Sequence, residues 1–528
     1  MAQPVREYQD IQGIVRSGYG RLEEASFLLL RITNLSEAKA WLAAVVEEPG
    51  AEKLSYRVTH AGHLSESHQE RALQIAFSAP GLRRLRAPEE LFQDGSINNF
   101  PREFRLGIAA EDPDPEGRSR RLGDIGENAP SNWEWGAPPE TPDVLVMLYA
   151  EAGCLAAFQQ MVMADLALGF EVFRVLGTAK AAEEGDTRRE PFGFVDGISQ
   201  PEIDWGAKRE PGTGADLEYG NLIAAGEFLL GYQNEYGLFT KRPLLDPARD
   251  PDNILAPAAD VPGQLDLGRN GTYLVFRHLE QDVSGFWSFV SKKSPGNQGV
   301  DLAEAMLGRR LSTGDPLVTA SRAEIRGVGP DALDIRQNGF TYEPDPEGLT
   351  CPFGAHIRRA NPRTADMPGG KQGLISWLLR ALGLKRGGPR DDLLSSSRFH
   401  RIIRRGRPYG AVIDHRESVL RGKPPGVASG IYFISLNANI SRQFEFIQNA
   451  WIVNAKFNGM DGETDPLLGN RVPSLGNHVT DGVSLPQPSG WGQRLAGLPQ
   501  FVTVRGGAYF FLPSLRALRF FARQSGTG

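Results

Sequence analysis

The densest chemistry-bearing segment of the chain is Leu349 to Arg363, LTCPFGAHIRRANPR, where one imidazole, His356, sits among three arginines and two prolines. A neutral imidazole ligates iron, and guanidinium groups near it pair with carboxylates such as the propionates of a haem. A turn-capping histidine among surface ion pairs would account for the same residues. A second segment, Pro191 to Pro201 (PFGFVDGISQP), sets Asp196 between aliphatic and glycine neighbours. Apolar flanks raise the cost of ionising a carboxyl, which suits it to proton transfer; a tight turn at the DG pair is the plainer account. In a third segment, Arg398 to Gly410 (RFHRIIRRGRPYG), Arg401, Arg404 and Arg405 lie on a β-patterned run. On a strand, Arg401 and Arg405 share one face and Arg404 points to the other. A basic edge strand that discourages aggregation also fits.

Other chemistries find no support. The eight histidines form neither HxxxH nor HExxH spacing, and the chain has no GxSxG elbow and no GxxxxGK[ST] phosphate loop. Two cysteines, Cys154 and Cys351, exclude a disulfide scaffold and any Cys-rich metal site, and fit a reducing compartment. The 58 Lys+Arg against 64 Asp+Glu give a formal charge of -6. A nucleic-acid or anionic-membrane binder would have to concentrate basic residues locally against that field, and no tail does so. The start, MAQPVREYQDIQG, does not read as a secretory signal, and no run of 18 apolar residues offers a membrane span. A cytoplasmic protein without nucleic-acid or membrane partners is expected.

Elements must position these segments. Phe27–Ile32 reads as a strand, Leu35–Glu48 as a helix, Gln74–Ala79 and Val144–Ala150 as strands, Leu155–Leu168 as a helix and Phe170–Leu176 as a strand. The order βαββαβ returns downstream. Gly271–Leu279 is a strand, Val283–Lys292 with Leu302–Leu307 is helical, and His400–Arg405 and Ile431–Leu436 are strands. Arg442–Ile452 is a helix and Phe501–Leu512 closes the unit. An α+β fold of two tandem ferredoxin-like domains is predicted, each an antiparallel sheet with its helices packed on it. The N-terminal domain spans 1–220 and carries GFVDG, a connecting segment with a strand pair around Gly226–Tyr232 spans 221–265, and the C-terminal domain spans 266–528. An irregular insertion at 364–397 contains a short amphipathic helix, Leu374–Leu384.

At this point the chain resembles the dye-decolorizing peroxidase family. GFVDG at Gly193–Gly197 is similar to the family's GXXDG signature, CPFGAHIRRANPR to its proximal haem segment and IIRRGRPYG to its distal-arginine strand. DIQG at Asp10–Gly13, GEFLLGY, NGTYLVFRHLEQDV and TDPLLG at Thr464–Gly469 are weaker matches, and together they span nearly the whole chain. The family's two ferredoxin-like domains agree with the duplicated unit.

The resemblance implies a haem peroxidase that uses H2O2 to oxidise bulky donors such as dyes and phenolic compounds through a ferryl intermediate. One haem b per chain is implied, and no CxxCH motif is present for covalent attachment. His356 would ligate the iron and Arg359 bind a propionate. Asp196 would move the peroxide proton while Arg404 stabilises developing charge, Arg405 being the competitor if the alignment slips by one. Asp465 would accept the proximal imidazole N–H, and Ile431 and Phe433 would wall the distal pocket. Trp451, in IQNAW, and Tyr409, five residues from Arg404, are the candidates for relaying electrons to donors too large for the pocket. The alternative is a haem carrier or sensor with little turnover, which would not need the Asp196–Arg404 pair. The sequence leaves open the reductant, the oligomeric state, packaging in a protein shell and the effect of the 364–397 insertion on access.

Overall fold

The computed structural model describes residues 3–62, 69–96, 98–109, 117–179, 189–212, 219–318, 337–366, 396–410, 428–471, 479–487 and 492–524. In the first half, strand β1 (Glu24–Ile32) leads into helix α1 (Leu35–Val45), whose N-cap Asn34 accepts the amide N–H groups of Ser36 and Glu37. Strands β2 (Arg71–Phe77) and β3 (Val144–Ala150), helix α2 (Leu155–Leu166) and strand β4 (Phe170–Gly177) complete the unit. The second half repeats it. Strand β5 (Thr272–Gln281) is followed by helices α3 (Val283–Lys293) and α4 (Val300–Leu307). The short helix α5 (His356–Ala360) precedes strands β6 (Ile403–Arg404), β7 (Arg407–Tyr409) and β8 (Gly430–Asn437). Wide π-type turns at Ser441–Glu445 and Ile447–Ile452, strand β9 (Val502–Leu512) and helix α6 (Leu515–Arg523) end the chain.

The two expected sheets are one. The strand order β6-β8-β5-β9-β2-β3-β1-β4, with β7 also on β8, runs unbroken through a single antiparallel pairing of Phe511 with Phe77 between β9 and β2. Each half keeps the ferredoxin-like order, so the duplication read from the sequence is present. The β3 segment VLVMLYA is buried along its whole length because both faces of the central sheet are covered.

Alternation along the strands divides the sheet into two apolar layers. Leu28, Leu30, Ile75, Val146, Val275 and Phe511 face α1, α2 and α6. Leu29, Met147, Leu274, Phe276, Tyr432 and Phe510 face the N-terminal segment around Ile11 and Ile14 and the Phe228–Leu229 loop. The first layer draws side chains from both halves, which couples their folding.

Three local expectations are corrected. GEFLLGY is not a strand pair: Leu222–Ala224 pairs in parallel with Glu202–Asp204, and Ala225–Glu227 is a helical turn. Strand His400–Arg405 shrinks to Ile403–Arg404, because Ser396–His400 is a helical turn. Helix α6 continues beyond the strand expected to close the pattern. The helix expected at Leu374–Leu384 lies outside the described residues, as does most of the 364–397 insertion.

Phe511 is fully buried at the seam, with its ring 5.3 Å from that of Phe100 and 5.9 Å from that of Tyr273. Phe511→Ala is expected to destabilise the protein by about 3–5 kcal/mol, seen in denaturant melts as one transition shifted as a whole. A separate early transition would show that the halves fold independently.

Candidate active site

Three segments that the sequence separates by up to about 200 residues converge on one cavity of about 260 Å³, far larger than the ~10–15 Å³ that one water requires. The sheet supplies Leu279, Gln281, Ile431, Phe433 and Val502 as one wall. Helix α5 brings His356 to the cavity, the GFVDG loop brings Asp196, and β6 brings Arg404.

His356 is held by one side of its ring. Its Nδ1 lies 2.9 Å from Asp465 Oδ2, and the other oxygen of that fully buried carboxylate accepts the amide N–H groups of Leu467 and Leu468, each at 2.9 Å. Burial pushes the Asp465 carboxyl up, but the imidazolium charge, its hydrogen bond and the Leu468 amide outweigh it and leave the carboxyl below its ordinary range. Burial likewise disfavours protonated His356, and Asp465 overcomes this to raise the imidazole above its usual value. Nε2 is the ring nitrogen left for a ligand.

Arg404 Nη1 donates to Asp196 Oδ1 at 3.1 Å and Nη2 to the Ser199 carbonyl at 3.2 Å. The Asp196 side chain is 37% exposed, so its partner is a guanidinium rather than the enclosing apolar flanks that the sequence suggested. The loop that carries it is fixed by Glu190, which had no motif to mark it. Its carboxylate accepts the amide N–H groups of Phe192 at 3.0 Å and Phe194 at 2.9 Å, and the Gln281 side-chain amide at 2.8 Å. Gly193 turns the loop at φ 98°, a conformation that a side chain would strain. Burial pushes the Glu190 carboxyl up from 4.5 to about 7, with Asp196 adding to the rise and the three donors opposing it.

The arginines differ from expectation. Arg405 turns away from the cavity and donates to the carbonyls of Ile14 at 2.7 Å and Val15 at 2.9 Å, which removes it as the competitor of Arg404. Arg401 and Arg404, predicted on opposite faces, both line the cavity because the strand between them is only two residues long. Arg359 is not at the cavity: it is fully buried and donates to the carbonyls of Trp451, Ile452, Asn454 and Glu463. The cavity instead has Arg309 and Arg363 beside Arg401, with Ser199 Oγ accepting from the first two. Burial and the neighbouring Arg363 lower Arg309 to about 10, the mark of a cationic cluster that an anionic group would relieve.

Of the relay candidates, Trp451 is buried beside the cavity wall, its ring 5.4 Å from His400 and 5.3 Å from Phe446. Tyr409 is across the sheet: it pairs opposite Gly430 and stacks on Tyr432 at 4.4 Å, on the face away from Ile431 and Phe433. Closeness to Arg404 in sequence does not bring it to the cavity, because β7 places it on the opposite layer.

No family model matches the chain. It is 25% identical to a dye-decolorizing peroxidase of Mycetinis scorodonius over 540 residues, covering 97% of this chain and 86% of that one. It is 29% identical to a multifunctional dye peroxidase of an Amycolatopsis species over 438 residues, covering 78% and 79%. The fungal DyP-type peroxidase structure from Auricularia auricula-judae superposes with a TM-score of 0.69 over 99% of this chain and 100% of that one, at 24% identity. The chain belongs to the dye-decolorizing peroxidase family. It is accordingly a haem peroxidase, using peroxide and an organic reductant. A further family structure, a complex with 2,6-dimethoxyphenol, superposes with a TM-score of 0.66 over 98% of this chain and 100% of that one, at 22% identity.

The cavity of this family member fits haem on its own chemistry. Its apolar wall suits a porphyrin, His356 Nε2 suits the iron, and Arg309, Arg363 and Arg401 suit carboxylates. Among the described residues no three His, Cys, Asp or Glu side chains group to hold a bare metal ion. No helix among the described residues is long and apolar enough to cross a membrane.

Because folded Glu190 keeps its proton up to about pH 7 whereas the unfolded chain releases it near 4.5, its contribution is fully present below pH 4.5 and is lost as pH rises toward 7. The expected loss is about 1.4 kcal/mol per pH unit in that window. Glu190→Gln is expected to flatten the fall, measured as the difference in unfolding free energy between wild type and variant from pH 4.5 to 7. Parallel curves would show that Glu190 titrates normally.

Proposed function

We propose that the chain binds one haem b noncovalently through His356 Nε2 and uses hydrogen peroxide to oxidise bulky donors, dyes and phenolic compounds among them. The observation that carries this reading is that an imidazole pinned by a buried carboxylate shares one cavity with the Asp196–Arg404 pair. A haem carrier has no need of that pair. The 2,6-dimethoxyphenol bound to a relative supports a phenolic donor.

Haem held there would supply the redox-active iron on which peroxide is reduced. Asp196 accepts the proton from the inner peroxide oxygen and delivers it to the outer one, which leaves as water. Arg404 stabilises the negative charge that develops as the O–O bond lengthens, and its 3.1 Å contact aims the Asp196 carboxylate. Asp465, accepting from Nδ1, fixes the tautomer of His356 and makes the imidazole a stronger donor. Ile431 and Phe433 wall the cavity and exclude water. Arg309, Arg363 and Arg401 receive the propionates in place of Arg359. Trp451, against the cavity wall, is the first relay toward donors that cannot enter, and Tyr409, across the sheet, is the weaker candidate. The free cysteines support a cytoplasmic location, and the formal charge of -6 supports the lack of a nucleic-acid or anionic-membrane partner.

His356→Ala is expected to lose the Soret band on reconstitution with haem; a native spectrum at full occupancy would overturn the assignment. Asp196→Asn and Arg404→Leu are each expected to keep haem yet slow the peroxide-driven spectral change in stopped flow, by on the order of 10²–10⁴ for a lost acid–base group. Wild-type rates in both variants would remove the paired role.

A further inference from the structure

The loop residues 196–200 hold Arg404 at both of its ends. The guanidinium donates to Asp196 Oδ1 at 3.1 Å and to the Ser199 carbonyl at 3.2 Å. The backbone is held by the next loop residue, Gln200. The Arg404 amide N–H donates to Gln200 Oε1 at 3.0 Å, and Gln200 Nε2 donates back to the Arg404 carbonyl at 3.1 Å. A side-chain amide therefore takes the place of a neighbouring strand. It can do so because β6 is the last strand of the sheet and only two residues long. The Arg405 amide bonds the Ile434 carbonyl of β8 at 2.7 Å, and alternation along an antiparallel strand directs the N–H and C=O of Arg404 the other way, to the open edge.

Gln200 is itself fixed. Pro201 follows it and keeps its backbone extended, and Asn338 Nδ2 donates to its carbonyl at 2.8 Å. Just beyond, Glu202–Asp204 pairs with Leu222–Ala224. Its neighbours Ser199 and Pro201 line the cavity, whereas its own side chain turns to the Arg404 backbone. The same clip is present at Gln12, which donates to the Ile75 carbonyl at 2.8 Å and accepts the Ile75 amide at 2.9 Å. There it holds a core strand; at Arg404 it holds a residue whose guanidinium meets Asp196 at the cavity. The Arg404 carbonyl also accepts Arg405 Nη1, at a longer 3.3 Å, but that contact does not reach the loop.

We propose that Gln200 is a positioning residue for the peroxide reaction: by clipping the Arg404 backbone to the loop that bears Asp196, it aims the guanidinium before peroxide arrives. This rests on the peroxidase reading above. Stabilisation of developing charge depends on donors that are already in place. Without the clip Arg404 keeps its charge, but β6 is tied on one side only and the guanidinium loses its aim. Glu190 holds the Phe192–Phe194 stretch of the loop through separate bonds, so the effect falls on Arg404.

The test is a double-mutant cycle on the haem-loaded full chain. Gln200→Met keeps the length of the side chain and removes its donor and acceptor. Gln200→Glu keeps an acceptor for the Arg404 amide but, when ionised, sets negative charge against the carbonyl. Both variants are expected to keep the wild-type ferric Soret band. Both are expected to slow the peroxide-driven spectral change in stopped flow by on the order of 10–10²-fold, the cost of misplacing a group by about 1 Å. Cyanide, an anion that takes the place of peroxide beside Arg404, is expected to bind the ferric protein several-fold more weakly in both, a readout free of turnover. In Arg404→Leu the clip has no guanidinium to aim, so adding Gln200→Met is expected to change the rate and the cyanide affinity by no more than about twofold. Equal slowing with and without Arg404, or wild-type rates and cyanide affinity in both Gln200 variants, would overturn the proposal while leaving the peroxidase reading intact. Loss of the Soret band in both variants would overturn it as well, by showing that Gln200 maintains the haem site rather than the aim of Arg404. A wild-type protein without any spectral response to peroxide would overturn both readings.

Discussion

The arrangement depends on one buried charge pair, the hydrogen bond between His356 Nδ1 and Asp465. A carboxylate with no exposure is stable only where donors satisfy both oxygens, and Asp465 meets that condition with one ring nitrogen and two amides. The imidazole is thereby fixed in tautomer and direction before any ligand arrives. Helix α5 has only five residues and cannot hold that direction by its own backbone. Two consecutive buried arginines do so: Arg358 binds Asp345 and the Cys351 carbonyl, while Arg359 gathers the carbonyls that end the Ile447–Ile452 turn and precede Asp465. Arg359 acts on the cavity by tying the two segments that present His356 and Asp465.

The sheet sets the opposite constraint. In the second half, alternate residues of β5 and β8 face the cavity, so Leu279, Gln281, Ile431 and Phe433 form its wall while His278 and Tyr432 belong to the other layer. Joining the halves through β9 and β2 gives the wall a rigid support larger than either half provides. The GFVDG loop reaches the wall through Gln281, whose amide binds Glu190 and thus couples the loop that bears Asp196 to the end of β5.

Much of this was legible in the residues. The duplicated βαββαβ order is carried by apolar runs and helical spacing, and those survive in both halves; His356, Asp196, Arg404 and Asp465 lie in motifs, and the fold brings them together. What was not legible depends on register and on what each guanidinium finds once folded. An arginine that ligates a carboxylate and one that gathers carbonyls look alike in sequence, which misplaced Arg359 and passed over Arg309. Arg401 and Tyr409 lie elsewhere than expected because parity along a strand, and closeness to it in sequence, hold only while the strand lasts, and here it runs only from Ile403 to Arg404. Glu190 carries no motif; its importance comes from amides two and four residues away and from a glutamine 91 positions later.

The most direct test of the central claim is a crystal structure of the haem-loaded protein with iron located by its anomalous scattering. The account predicts iron bound by His356 Nε2, with Nδ1 still on Asp465 and with Asp196 and Arg404 on the other face of the porphyrin. Iron bound by a different residue, or a porphyrin that leaves His356 unligated, would contradict it.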